Sequence, residues 1–488
     1  MRSNLILIGV FLFVSILGFA QSEVEALRYS FLTPSGTARY SAMGGSFGAL
    51  GADPSVIGFN PAGMGVYRSS QFSFTPGFNL VNSSSDFLGS NSTDYNFNFK
   101  FDNFTYIGSI NLNNDENSVK AVNFGISYNK LADFNSNILI SGKNTYNSMT
   151  DWFASRASGT DYRNLKSQDN FYSNLAWEAY LIDQDLPDTM NYVSAYGGIY
   201  GETQRQFIGR KGLIGQYDYA VAINLENKLY LGTSIGIQSI SFIQKSTLSE
   251  IDEGNLIPDF KSFNFIQYQK TSGSGIIFNL GVLYSPADWI RFGGAIHTPT
   301  VLSLKLNYNN SIKSVFETAE KSKELDSKNG YFDYQLVTPF RANSSLGFII
   351  AKTALLNIDY EYVDYSLSRL RSDNYGFFDE NDNIRSEYKP AHNLKLGLEY
   401  RIGNISLRAG GAYFDSPYKT DHINQGSYAL LVSGGIGIFF ENIYLDFAYS
   451  NLMSKEVYYM YEGYGVNSPA TDIKLMKNSF ITTIGFRF

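Results

Sequence analysis

Cysteine is absent from the 488 residues, so disulfides, thiolate nucleophiles and thiolate metal sites are excluded. Histidine is nearly absent too: His297, His392 and His422 are the only three, and they show no ligand spacing. A haem-related receptor therefore has no motif behind it, and a Ser/His or Asp/His hydrolase has almost no bases to draw on. Neither an enzyme, a metal site nor a cofactor is expected. Beyond the N-terminus no apolar run approaches the roughly 20 residues a spanning helix needs. Lys/Arg blocks are also missing, and with a formal net charge of -7 a nucleic-acid partner is not expected.

What the chain does contain is 36 Tyr, 38 Phe and 44 Gly, at a mean hydropathy of only -0.16. A helical membrane bundle cannot combine these. A transmembrane barrel can, because half of each strand faces a polar lumen while aromatic residues form girdles at the two interfaces. The last eleven residues, Asn478 to Phe488, show the pattern at its clearest. Phe480, Thr482, Ile484, Phe486 and Phe488 share one face of a strand, and Ile481, Thr483, Gly485 and Arg487 the other.

The same alternation recurs over roughly 71–82, 95–112, 118–142, 212–225, 228–248, 262–286, 289–309, 333–351, 354–369, 391–402, 404–415, 427–440, 443–459 and 477–488. This predicts an all-β fold, a transmembrane antiparallel barrel of about 14 strands, an even number as outer-membrane barrels require. Tight turns at Asn113 to Asn117, Glu226-Asn227, Ala287-Asp288, Lys352-Thr353, Gly403 and Glu441-Asn442 alternate with long polar loops near 83–94, 143–211, 249–261, 310–332, 370–390, 416–426 and 460–476. Short turns on one rim and long loops on the other place the turns in the periplasm and the loops outside. The longest loop, near 143–211, has helical spacing at Asp151 to Ala157 and Asn170 to Leu181. In the third strand the alternation becomes irregular around Leu131 to Ser136, which predicts a kink.

The chain opens with Met1, Arg2, an apolar run from Leu5 to Phe19 and a small-x-small site at Gly18-Phe19-Ala20, which predicts a removed signal peptide over residues 1–20. Residues 21–70 then precede the first barrel strand. Their glycines, at 44, 45, 48, 51, 58, 63 and 65, with Asp53-Pro54 and Asn60-Pro61 turns, predict a compact plug, or hatch, held inside the barrel 71–488. They lack the spacing and the Gly-Lys-Ser/Thr of a phosphate loop.

The run Ala38-Arg39, Met43-Gly44-Gly45, Ala49, Asp53-Pro54-Ser55 and Asn60-Pro61-Ala62-Gly63 resembles the N-terminal hatch of the FadL/OmpP1/TodX family of outer-membrane transporters. Downstream, Leu280 to Gly293 with His297-Thr298-Pro299-Thr300, Thr338-Pro339-Phe340-Arg341 with Asp359 to Tyr362, and Gly397 to Arg401 with Arg408-Ala409-Gly410 resemble the same family. The resemblance implies a 14-strand barrel plugged by a hatch, in the outer membrane of a Gram-negative bacterium. It further implies passive uptake of long-chain fatty acids or other lipophilic small molecules: capture at outer loops, an interior apolar site, hatch movement and lateral release beside a kinked third strand. The helical loop departs from the family, lying between strands three and four. A structural or surface-interaction barrel, adhesin-like, is the alternative. Expected partners are the lipophilic ligand and the lipid and lipopolysaccharide of the outer membrane, with the chain a monomer.

Three groups of candidate site residues follow. Gly44, Gly45, Asp53, Asn60, Pro61 and Ala62 form the hatch or gate, where Asn60-Pro61-Ala62 reads either as a hinge or as a turn that locks the plug. Phe31, Met43, Phe47, Phe59 and Met64 line a ligand pocket or simply the hatch core, and Arg39 meets a ligand carboxylate or a wall acid. Asp359, Glu361, Lys395, Glu399, Arg401 and Arg408 share the lumen side of neighbouring strands as a charge ladder, tying plug to wall or filtering ligands.

Overall fold

The computed structural model describes residues 23–112 and 118–488. The expected signal peptide and the turn at Asn113 to Asn117 lie outside the described residues. Fourteen antiparallel strands close into a barrel. They are β1 (Gln71–Phe87), β2 (Ser90–Asn111), β3 (Val119–Asp133, resumed at Ser136–Lys143), β4 (Thr203–Leu225), β5 (Leu229–Ile251), β6 (Phe260–Ala287) and β7 (Ile290–His297, resumed at Val301–Phe316). The circuit continues with β8 (Gly330–Val337, resumed at Arg341–Ile350), β9 (Ala354–Asp364), β10 (Pro390–Ile402), β11 (Ile405–Phe414), β12 (Ala429–Phe440), β13 (Ile443–Tyr458) and β14 (Thr471–Arg487). Closure is complete: β14 pairs with β1 from Gln71↔Arg487 to Phe87↔Thr471, so the sheet has no free outer edge there.

Period-two alternation fixes the two faces. On β1, Phe74 and Phe78 are exposed while Ser73, Thr75 and Asn79 are buried in the lumen; on β14, Phe480, Phe486 and the terminal Phe488 point outward against buried Ser479, Ile481 and Thr483. Tight hairpins join the strands at one rim, with Glu226 and Asn227 both at positive φ (54° and 59°), the backbone a two-residue hairpin of native twist needs.

Several loops differ from the sequence expectation; besides those below, β7 runs on to Phe316 and β14 begins at Thr471, inside the expected loops 310–332 and 460–476. Residues 83–94 are not a long loop but a continued β1/β2 hairpin turning at Leu88-Gly89, with Asn82↔Tyr95 through Phe87↔Ser90 in register. Serines and asparagines there stand on strands above the apolar band, where polar faces are solvated and carry no periodic signal. For the same reason β4 begins at Thr203, not 212, and the long loop is correspondingly shorter. The interval 370–390 carries a helix, Phe378–Glu387.

Residues 23–70 lie within the barrel as α1 (Glu23–Ser30), α2 (Ala38–Ala42) and two 3-10 turns, Pro54–Gly58 and Pro61–Val66. Between β3 and β4 the loop folds into α3 (Met149–Ala157), α4 (Leu165–Gln168) and α5 (Ser173–Glu178); α6 is Phe378–Glu387. The side chains of α3 and α5 bury Trp152, Phe153 and Leu175 with Leu181 against Ile138, Ile140, Leu248 and Phe263 of the strand ends. This cap has a core of its own.

Candidate functional site

The plug is shaped by local side-chain caps. Asp53 Oδ1 accepts from Ser55 N at 2.9 Å and Thr37 Oγ1 donates to the same carboxylate at 2.9 Å, while Asn60 Oδ1 accepts from Ala62 N at 3.2 Å. Each Asx-Pro pair thus starts a 3-10 turn, with the proline where no amide hydrogen is needed. Asn60 also donates to Gly48 O at 2.7 Å and to Val282 O of β6 at 3.2 Å, so this turn bonds both to the plug itself and to the wall. Gly44 and Gly45 both adopt positive φ (65° and 72°), the left-handed bend that turns the chain after α2.

Wall glycines receive the plug backbone. A Cβ on Gly410 would sit 2.2 Å from Gly44 N, and one on Gly293 2.2 Å from Gly48 O. Backbone on both sides leaves nothing to yield. The plug is further held by Ala38 N donating to Thr483 Oγ1 at 2.7 Å, Phe47 N to Asp359 Oδ2 at 2.9 Å, Arg291 Nη1 to Leu50 O at 2.6 Å and Asn123 Nδ2 to Met64 O at 2.7 Å. These partners come from β14, β9, β7 and β3, on all sides of the lumen.

The charged residues of the expected ladder fall mainly into two clusters. In the first, Glu399 accepts a bidentate pair from Arg39 (Nε 2.7 Å, Nη2 3.1 Å) and a third bond from Arg408 Nε at 2.7 Å, and Arg408 Nη1 reaches Asp446 Oδ1 at 2.5 Å. In the second, Glu361 lies 3.2 Å from Arg341 and 3.6 Å from Lys395, and accepts from Asn393 Nδ2 at 2.8 Å. Asp359 belongs to the plug contacts. Arg401 belongs to neither: it is exposed at the turn-side rim, its guanidinium 5.0 Å from the Phe439 ring. Parity along β10 put it on the lumen side, but the strand ends one residue later and the lumen wall with it. The Glu399 contact engages the Arg39 guanidinium, and Asp446 and Arg341 are members that sequence reasoning missed.

The apolar candidates separate in the same way. Met43 and Phe47 pack with Tyr40, Leu50 and Val56 inside the plug, and Met64 packs with Ile57 and Ile107 between plug and wall. Only Phe31 and Phe59 reach open space. Phe59 lines a lumen cavity of about 100 Å³ with Tyr29, His297, Arg341, Glu361 and Lys395. His297 is buried there, 2.9 Å from Asn343 Nδ2 through Nε2, whereas His392 faces outward against Tyr360 and His422 stacks on Tyr418 in a loop.

Above the plug the lumen changes character. On β5, Ile235 and Ile237 face outward over Gly236 and Gln238, but two residues further Ile240 and Phe242 face inward and Ser239 and Ser241 outward. Leu302, Leu304 and Leu306 of β7 and Tyr334 and Leu336 of β8 join them around Tyr29 of α1. Below this level these strands are apolar outside and polar inside; around Tyr29 their inward face becomes apolar. The projecting ends of the strands therefore enclose an apolar chamber. The sequence carries the signal as a switch of apolar parity between Ile237 and Ile240, which a search for alternation alone passes over.

The wall is interrupted beside this chamber. β2 pairs with β3 only from Asn103↔Asn129 to Asn111↔Ala121. Bulges occur at both strands near that point, at Thr75/Pro76 opposite Asp102 and at Lys130/Ala132, and β3 breaks at Phe134-Asn135 before resuming with β4 alone. Ser136–Lys143 passes inside the β1/β2 hairpin, where Ser85 Oγ donates to Leu139 O at 2.5 Å. On its β3 side the edge of β2 before Asn103 has no strand partner, and the broken stretch of β3, Ala132 to Ser136, lines a cavity of about 250 Å³ whose walls include Phe31, Phe134, Phe242 and Leu452. The irregularity at Leu131 to Ser136 expected from the sequence falls on this break.

A family profile described as outer membrane protein transport protein (OMPP1/FadL/TodX) matches residues 215–488. Among solved structures, a FadL homologue of Pseudomonas aeruginosa is 14% identical, covers 94% of this chain and 100% of its own, and superposes with a TM-score of 0.60. The toluene transporter TodX of P. putida is 11% identical over 93% of this chain and 98% of its own, with a TM-score of 0.53. The Ralstonia pickettii toluene transporter TbuX is 14% identical over 93% and 98%, at 0.51. At these identities the likeness is one of fold. No curated protein sequence matches the chain at a significant level.

Proposed function

The chain belongs to the outer membrane protein transport protein family (OMPP1/FadL/TodX), whose profile covers more than half of it, and on that premise we propose that it carries a lipophilic small molecule passively through the outer membrane. The family's barrels lie in the outer membrane of Gram-negative bacteria and are transport channels, not enzymes. The ligand class we favour is long-chain fatty acids and comparably apolar compounds; the structural relatives named for toluene keep aromatic hydrocarbons in the tested set.

The observation that carries the reading is the break in β3 beside the cavity. An unpaired strand edge facing hydrocarbon costs several kcal/mol for each unsatisfied backbone group unless it lines a cavity, and the broken stretch of β3, Ala132 to Ser136, does line one. A ligand enters from the capped outer rim and rests in the apolar chamber around Tyr29 and Phe242. It leaves sideways between β2 and β3, bypassing the polar plug. Gly44, Gly45, Asp53, Asn60, Pro61 and Ala62 act as the plug's folding points; Arg39, Glu399 and Arg408 hold it to the wall, with Asp359 securing its middle. Direct passage through the plugged bore would require breaking those contacts.

The test is uptake of radiolabelled dodecanoate, dodecane and toluene by cells lacking the protein, with and without the full chain restored. Faster uptake of at least one compound supports the proposal. Equal uptake of all three with and without the chain would sink it and favour a surface-interaction role.

A further inference from the structure

Above the apolar band the outer wall of β4 to β7 is basic. Tyr217 of β4, Ile237 of β5, Ile276 of β6 and Val301 of β7 are in register across the four strands, and all four are exposed. The next outward row is polar or bare: Gly215, Ser239, Ser274 and Ser303. Beyond it, still on the outward face, stand Lys305, four residues past Val301, Lys270 and Lys211, six past Ile276 and Tyr217, and Lys245, eight past Ile237.

Register brings these lysines together. Lys211 and Lys270 flank Ile243 on either side, Lys245 pairs with Gly209 and Tyr268, and Lys305 pairs with Ser272. At about 4.8 Å between strands and about 3.3 Å per residue, each lysine backbone lies within roughly 10 Å of another. All four side chains are exposed, and among the described residues none has a carboxylate within 4.0 Å or a side-chain hydrogen bond. One acid shares this stretch of outer wall, Asp333 of β8 in register with Lys305, so the net charge is 4 − 1 = +3. By contrast, where Lys455 and Lys474 face outward in register on β13 and β14, the outward Asp86 and Asp472 pair two residues away and balance them.

A single exposed lysine is a solvated surface charge. Here four share a narrow level, with half-buried Leu213, Ile243 and Tyr268 between them, serines beneath and an apolar row beneath those, so the wall presents cation, hydroxyl and hydrocarbon in sequence. The lysines begin about 13 Å along a tilted strand from the last apolar row, and their flexible stems let the ammonium groups reach down toward headgroups. That order is complementary to an anionic glycolipid: phosphate, sugar, acyl chain. On the inward side the same strands line the apolar chamber with Ile240, Phe242, Leu302, Leu304 and Leu306, so the parity switch turns apolar residues in and leaves charge outside.

We propose that Lys211, Lys245, Lys270 and Lys305 form a docking belt for the phosphates of lipopolysaccharide, one headgroup lying across β4 to β7 with its acyl chains along Tyr217, Ile237, Ile276 and Val301. The belt depends on the outer-membrane placement alone, so its test stands whether or not the chain carries a lipophile.

The experiment titrates the purified full-length barrel in detergent micelles, in magnesium-free buffer, with bisphosphorylated lipid A or its dephosphorylated form, reading bound lipid by native mass spectrometry. Heat-modifiable gel mobility confirms folding. Each lysine near an anionic lipid surface strengthens binding about 5-fold, so the fourfold variant Lys211→Gln/Lys245→Gln/Lys270→Gln/Lys305→Gln binds bisphosphorylated lipid A at least about 100-fold more weakly. The control pair Lys455→Gln/Lys474→Gln stays within about 3-fold of wild type, and dephosphorylated lipid A binds wild type and the fourfold variant alike. Should the fourfold variant not fold, Lys270→Gln/Lys305→Gln is read in its place, with a fall of about 25-fold. Unchanged binding in the lysine variants overturns the proposal, as does an equal fall in the control pair or an equal fall for the dephosphorylated lipid. Displacement of lipid A by a large excess of inorganic phosphate also overturns it, since that marks a site for the free anion and not for the headgroup.

Discussion

Glu399→Gln tests the attachment of plug to wall at its most loaded point. The carboxylate receives three charged hydrogen bonds, two from Arg39 and one from Arg408, at 2.7 to 3.1 Å. A glutamine offers one acceptor oxygen and turns its amide hydrogens toward a guanidinium, leaving two cations to share Asp446. Removing one partner of a buried ion pair costs roughly 3–5 kcal/mol. The Arg39 side chain is 15% exposed and Glu399 only 2%, so the lower end applies, about 3 kcal/mol. That corresponds to a rise on the order of 100-fold in the undocked fraction of the plug. Hydrogen exchange of the amides over 38–52 measures it, because Ala38 and Phe47 N donate to wall side chains and are freed only on undocking. The double variant Arg39→Gln/Glu399→Gln removes a cation with the anion and restores much of the protection. Exchange in Glu399→Gln within about 3-fold of wild type, or a double variant no better protected than the single, would refute the idea that this cluster holds the plug.

Gly410→Ala forces a methyl against Gly44 N and the Met43 carbonyl carbon, both 2.2 Å away; the plug shifts, and ion conductance across planar bilayers rises above that of wild type. A disulfide between Asn96→Cys and Asn137→Cys, whose native side chains touch at 3.4 Å across the β2/β3 gap, closes the side opening; with no native cysteine to interfere, uptake falls on oxidation and recovers with reductant, and indifference to the disulfide counts against lateral release. On α6, burial, together with the Glu23 and Glu462 carboxylates, pushes Glu387 up to about 7. A carboxyl raised in the folded state adds its stability below the ordinary value of 4.5 and loses it as pH rises through about 7. Exchange of α6 amides, corrected for intrinsic rates, therefore accelerates between pH 5 and 8, and Glu387→Gln flattens that dependence. An unaltered profile in the variant assigns the effect to other groups.

The sequence by itself determined the barrel. A strand exposed to hydrocarbon on one face and to a packed lumen on the other must alternate, and each of the 14 segments read that way corresponds to one observed strand. It also located the break, since a bulged strand loses its period at Leu131 to Ser136. Strand ends above the apolar band escaped, because polar residues on both faces at Asn82 to Asn96 erase the alternation without ending the ladder.

Only the tertiary structure decided which lumen residues meet. The ladder positions shared a face, but Glu399 reaches Arg39 some 360 positions away while Arg401, two residues on, stands in solvent at the rim. The ion pairs of Lys100 and Lys130 with Asp102 and Asp133 at the end of the β2/β3 ladder became visible for the same reason. Periodicity is a local consequence of backbone geometry and can be read along the chain. The pairing of charges is set by strand register, bulges and the seating of a plug, all of which join residues far apart in sequence, so it is settled only when the barrel closes.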